Sequence, residues 1–399
     1  MKKLIPFILA AVMVLITFTP LSADADDVVT INVYNWGQYI SDGSDGYPDV
    51  IADFEKAYPN IKVNYMTFES NESMYTKLQA GGSAFDIVVP SDYMVEKMIA
   101  EDMLAPLDFE NIPNYKYIDE SLKNMAYDPD NTYSVPYTWG YTGLIYNSKY
   151  VNEEDVVGWE LMWDPTYAGK ILMFDNPRDA YGLAEYILGY SANTEDPEEL
   201  QAATELLKEQ KNLVQAYVMD QIFDKLERGE AWIGAYYAGD YLLMVDENPD
   251  LEFLVPEEGY NLFVDALCIL KDSQHKKEAE TFINFLCDPE VMGPNLEYLG
   301  YAAPASAAKE YMDPELAESD IAYPSEEILA RGEAYKSLSL EGTQLMNELW
   351  LSVKTTDDVL GAYLWLTGGA IVVVAALIIF FSVRKKRRIA RRGTYAAGK

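Results

Sequence analysis

Two kinds of residue recur where strand-like segments end: carboxylates and large aromatics. Trp36 and Tyr39 close the stretch Val33-Tyr34-Asn35-Trp36-Gly37-Gln38-Tyr39, in which Asn35 and Gly37 break a strand pattern just as the aromatics arrive. Ser91 and Tyr93 follow the strand-like residues 86–89, and Asn176 and Asp179 follow 170–173. Tyr237 and Asp240 stand at the end of a strand pattern over 233–240, and Phe263 and Asp265 share one face of the apolar run 262–270. An ionised carboxylate in such a run costs several kcal/mol unless it has a donor or a cation. Carboxylates hold ammonium groups through charge-assisted hydrogen bonds, and aromatic faces pack on methylenes and attract cations. Both residue types thus recur at strand ends, which is where open α/β sheets bind ligands.

Other chemistries find less support. His275, the only histidine, sits in a polar stretch, so Ser-His-Asp catalysis and histidine metal sites are weakly supported. Cys268 and Cys287 each lie in an apolar run and read as buried thiols. No catalytic residue, metal or cofactor is assigned. A glycosidase needs two carboxyls held around one bond, whereas these acids are spread over several strand ends. A ferric-ion site at Tyr236 and Tyr237 requires the strand to end there, because neighbouring strand residues point to opposite faces.

The elements that must position these residues alternate in type. Residues 61–65 read as a strand, 72–80 as a helix, 86–89 as a strand and 93–101 as a helix, the pattern of a parallel sheet with crossover helices. Asp196-Pro197-Glu198, Asp288-Pro289-Glu290 and Asp313-Pro314-Glu315 each place an N-cap acid before a first-turn proline. Ser91 reads as a further N-cap.

The two ends are different. Lys2 and Lys3, an apolar run from Leu4 and the small-x-small Ala23-Asp24-Ala25 read as a signal peptide over 1–25, with an uncleaved anchor as the alternative. Residues 364–383 are almost wholly apolar and are followed at once by Arg384-Lys385-Lys386-Arg387-Arg388, the pattern of one C-terminal transmembrane helix with a cytoplasmic basic tail over 384–399. The expected setting is therefore a single-pass cell-membrane protein whose binding domain lies outside the cytoplasm. Setting aside Lys2, Lys3, Asp24 and the eight basic residues of the tail leaves 64 acids and 20 bases, a net of −44. Such a surface repels nucleic acid and attracts cations.

The stretches Tyr34-Asn35-Trp36-Gly37-Gln38-Tyr39, Phe68-Glu69-Ser70-Asn71-Glu72-Ser73-Met74-Tyr75, Asp86-Ile87-Val88-Val89-Pro90-Ser91, Ser134-Val135-Pro136-Tyr137-Thr138-Trp139-Gly140 and Leu299-Gly300-Tyr301 resemble the spermidine/putrescine-binding proteins of ABC importers. The likeness spans about Ile31 to Trp350 and implies an α/β, two-lobed periplasmic-binding-protein fold with two interlobe crossovers. It implies lobe 1 over 26–138 and 264–309 and lobe 2 over 139–263 and 310–353; the polar run from Lys354 to Asp358 marks a linker over 354–363. It implies a polyamine ligand, an ABC transporter permease as partner, no enzymatic activity and a monomer. By position it puts Trp36, Tyr39, Ser91 and Tyr93 on the first lobe's side of the cleft and Asn176, Asp179, Tyr237 and Asp240 on the second. Phe263 and Asp265 fall on the returning strand, with Tyr301 nearby. Family members commonly carry an acid at Asn176, tryptophan at Tyr237 and Phe263, and a serine contact at Met219. Those departures leave spermidine and putrescine both open, and a sensor role stays beside delivery to an importer.

Overall fold

The computed structural model describes residues 28–81 and 84–355. Its centre is one sheet of ten strands: β1 (Val29–Trp36), β2 (Ile61–Phe68), β3 (Ile87–Val88), β4 (Ser134–Asn147), β5 (Ile171–Phe174), β6 (Val214–Val218), β7 (Ile233–Tyr237), β8 (Leu251–Leu254), β9 (Tyr260–Ile269) and β10 (Gly332–Glu333). The order is β2-β1-β3-β9-β4-β7-β5-β6, with β8 on β4 and β10 on β9. The first three strands are parallel among themselves, as are β5, β6 and β7. The expected parallel sheet is thus a mixed one. Its two halves are joined by the long strands β4 and β9, which pair antiparallel with each other and with their neighbours β7 and β3. A strand that carries the chain from one half to the other needs no crossover helix, so its direction alternates.

Helices cover the faces of the two halves: α1 (Val50–Ala57), α2 (Asn71–Ala80), α3 (Asp92–Ala100), α4 (Pro177–Ile187), α5 (Pro197–Lys211), α6 (Ile222–Glu227), α7 (Ala238–Glu247), α8 (Lys276–Leu286) and α9 (Pro289–Leu299). The acids predicted to cap do so: Asp196 accepts from the Glu198 amide, Asp288 from Glu290 and Asp313 from Glu315. Ser91 occupies the N-cap position of α3 but makes no side-chain cap bond. Its hydroxyl instead accepts from Asn71 Nδ2 at 3.0 Å, and its amide donates to Asn71 Oδ1. One apolar core gathers Ile31, Phe54 and Phe282 in the first half, and a larger one gathers Trp159, Phe174 and Tyr181 in the second. Both cysteines are free and buried.

The fold expectation needs one correction. Among the described residues no helix is long and apolar enough to cross a membrane. A spanning helix takes about 20 consecutive apolar residues, whereas α5, at 15 residues, carries charged residues along one face. The described chain is the two-lobed α/β fold alone. The expected signal peptide, most of the expected linker, the predicted spanning segment 364–383 and the basic tail lie outside the described residues.

Candidate ligand-binding cleft

Residues that follow strands of both halves line one cleft. All eleven predicted site residues line it. From the first half come Trp36 and Tyr39 after β1, Ser91 and Tyr93 at the start of α3, and Tyr301 just after α9. From the second come Asn176 and Asp179 at the start of α4, Tyr237 at the end of β7, and Asp240. Phe263 and Asp265 lie mid-strand on β9. The expected strand over 233–240 stops at Tyr237, so Asp240 belongs to the first turn of α7. There the helix N-terminus favours a carboxylate.

Each cleft aspartate receives a tyrosine hydroxyl. Tyr39 donates to Asp265 Oδ2 at 2.6 Å, Tyr237 to Asp179 Oδ2 at 2.8 Å, Tyr301 to Asp240 Oδ2 at 2.9 Å and Tyr236 to Asp220 Oδ1 at 3.4 Å. Asn176 caps α4 through the Asp179 amide at 3.1 Å and also donates its side-chain amide to the Asp179 carboxylate. The rings form a continuous wall: Tyr39 lies 5.6 Å from Tyr301, Phe263 6.3 Å from Tyr301 and 5.4 Å from Tyr237. Asp265 is 4% exposed, and its Oδ1 has no hydrogen-bond partner.

Burial dominates the electrostatics. It pushes the Asp179 and Asp265 carboxyls up to about 6, and Asp240 up to about 8. Asp220 is raised by burial and then by Glu69 across the cleft. Five acids line the space, Glu69, Asp179, Asp220, Asp240 and Asp265, and no Lys, Arg or His joins them among the described residues. An empty site of this kind stores unfavourable desolvation that a bound cation would relieve.

Several lining residues escaped sequence reasoning. Glu69 sits inside the Phe68–Tyr75 motif, and Asp220 adjoins Met219, so proximity to family stretches was a usable signal for both. Tyr236 lines the cleft beside Tyr237 because β7 ends there; their rings are 4.8 Å apart. Their hydroxyls go to different acids, Asp220 and Asp179, and so do not converge on one point. Tyr335 comes from the C-terminal segment, where no motif drew notice.

Residues 49–324 match the bacterial extracellular solute-binding protein family. The chain belongs to that family. This solute-binding protein is 36% identical over 313 residues to the spermidine/putrescine-binding periplasmic protein of Escherichia coli (strain K12), covering 78% of this chain and 88% of the relative. It is 29% identical over 351 residues to a putrescine-binding periplasmic protein of Pseudomonas aeruginosa, covering 84% and 94%. Among solved structures, it is similar to the spermidine/putrescine ABC transporter substrate-binding protein of Streptococcus pneumoniae, with a TM-score of 0.69, 35% identity, and coverage of 82% and 99%.

Proposed function

We propose that this chain captures a polyamine of the spermidine or putrescine type outside the cytoplasm and delivers it to an ABC importer through that importer's permease. The observation that carries the reading is the cleft's composition: the buried Asp179 and Asp265 and the partly exposed Asp240, each met by a tyrosine hydroxyl and walled by aromatic rings, with no basic side chain in the lining among the described residues. Ammonium groups would take the place of the missing countercharges on Asp179, Asp240 and Asp265, at roughly 1.5 to 3 kcal/mol per charged hydrogen bond. Methylenes would lie on Trp36, Phe263 and the tyrosine faces.

Binding and release without turnover is the role we assign, in keeping with a solute-binding family. We take a single chain as the binding unit. We place the lobe boundaries at 138/139 and 263/264, inside β4 and β9, where Trp139 pairs with Val264. Bending there would open and close the cleft.

Titration calorimetry of the purified protein with putrescine, spermidine and an amino acid tests the proposal. Heats with a polyamine and none with the amino acid are expected; the opposite ranking refutes it.

A further inference from the structure

Tyr335 enters the cleft from a segment that is pinned to the second lobe. β10 lies parallel to β9, and Glu333 on it accepts from Ser191 Oγ, from the Ala192 amide at 2.9 Å and from Asn193 Nδ2 at 3.0 Å. Two residues on, the Tyr335 ring is buried with three of its sides closed. Arg178 places its guanidinium 4.3 Å from the ring centroid, and it cannot yield, since it donates to the Ala192 carbonyl at 2.7 Å, to Asn193 Oδ1 and to the Lys336 carbonyl. Tyr93 meets the ring edge-on at 6.0 Å. On the third side is the backbone of α4 at Gly182. A Cβ built there would stand 2.4 Å from the Tyr335 hydroxyl oxygen but 3.4 Å or more from the ring carbons. The hydroxyl therefore fills the volume that any side chain at 182 would need, and it makes no hydrogen bond there. The side left open is the cleft.

We propose that Gly182 is a specificity-determining position: by seating the Tyr335 hydroxyl against α4 it keeps the ring out of the ligand's space beside Asp179, and so sets the length of polyamine that the closed cleft accepts. This rests on the polyamine reading above. A methyl group at 182 leaves the ring one direction of movement, into the cleft. A triamine that fills the cleft then loses more than a diamine, because the shorter ligand can shift away from the intruding ring. The hydroxyl oxygen is the one Tyr335 atom in conflict, so deleting it should cancel the effect of the methyl group.

Gly182→Ala, Tyr335→Phe and the double variant, each in the intact protein, are titrated with spermidine and putrescine, with melting temperature as a control. Gly182→Ala should lose about tenfold or more in spermidine affinity and less than about threefold in putrescine affinity. Tyr335→Phe is the reference for the double variant, which should match it within about threefold on both amines and so recover the spermidine affinity that Gly182→Ala loses. Tyr335→Trp, which enlarges the ring against an unchanged α4, should show the same selectivity and serves if Gly182→Ala does not fold. Equal losses on both amines, no loss, or no recovery in the double variant would overturn the inference. A wild-type protein that binds neither amine would instead refute the polyamine reading itself.

Discussion

Tyr39 and Asp265 are 226 positions apart in the chain and meet at 2.6 Å, hydroxyl to carboxylate, at the centre of the cleft. The bond satisfies Oδ2 alone, since Oδ1 is buried without a partner. One half of the carboxylate is thus fixed in position. The phenol answers in kind: burial, then the neighbouring Asp265 charge, holds Tyr39 well above the usual range, so it stays a donor.

Asp265→Asn keeps the size and removes the charge. Polyamine affinity should fall by about 2 to 5 kcal/mol, roughly 30-fold or more. The melting temperature without ligand should hold or rise, because the empty site no longer buries an unpaired charge. Calorimetry and thermal melts on one sample check this; a large loss of stability with unchanged affinity would remove Asp265 from the site.

Stability of the ligand-free protein should fall as pH rises from about 5 to 8. Burial raises Asp179 and Asp265 to about 6, and Asp92, Asp240 and Glu185 to about 8, against about 4 when unfolded. In that window the folded state binds more protons than the unfolded one, so raising the pH favours unfolding. Saturating polyamine should flatten the slope, because Asp179, Asp240 and Asp265 are then held ionised, and binding should release protons. Thermal melts across pH with and without spermidine measure it; a flat profile in the empty protein would contradict the assignment.

Glu185 is fully buried on α4, and neither carboxylate oxygen has a hydrogen-bond partner. Replacing it with methionine, of similar volume, should stabilise the protein by about 1 to 3 kcal/mol by removing the desolvated group. Denaturant unfolding at pH 8, where the acid is partly ionised, should show a larger gain than at pH 6. Destabilisation at both values would mean that the carboxyl has partners in solution.

Asp128 offers the opposite case, a buried acid that the fold uses. It accepts from the amides of Thr132, Tyr133 and Ser134 at 3.0, 2.9 and 3.0 Å and from the Ser134 hydroxyl at 2.7 Å. Asp128→Ala leaves those donors unmatched ahead of β4 and should cost about 3 kcal/mol or more. Affinity per folded molecule should not move, and a calorimetric loss of binding at full folding would show that the loop reaches the cleft.

Much of this was legible in the chain itself. Period-two and helical patterns, Asp-Pro-Glu caps and the charge inside the run 262–270 are local signals, and local propensity expresses them wherever the chain folds. The eleven site residues lay beside such signals or inside family stretches. What the sequence by itself could not decide was set by packing over long separations. The direction of β4 and β9 follows from their joining two halves of one sheet, so no local pattern encodes the mixed topology. The strand carrying Tyr237 stops where α7 begins, and that single boundary turns Tyr236 into the cleft as well. Ser91 has the sequence of a cap, but Asn71, 20 positions away, claims its hydroxyl. Tyr335 reaches the site because Gly182, 153 positions earlier, leaves room for its hydroxyl. A residue type shows what chemistry it can do; only the tertiary structure decides which neighbours close around it, because burial and hydrogen-bond partners are properties of the assembled fold.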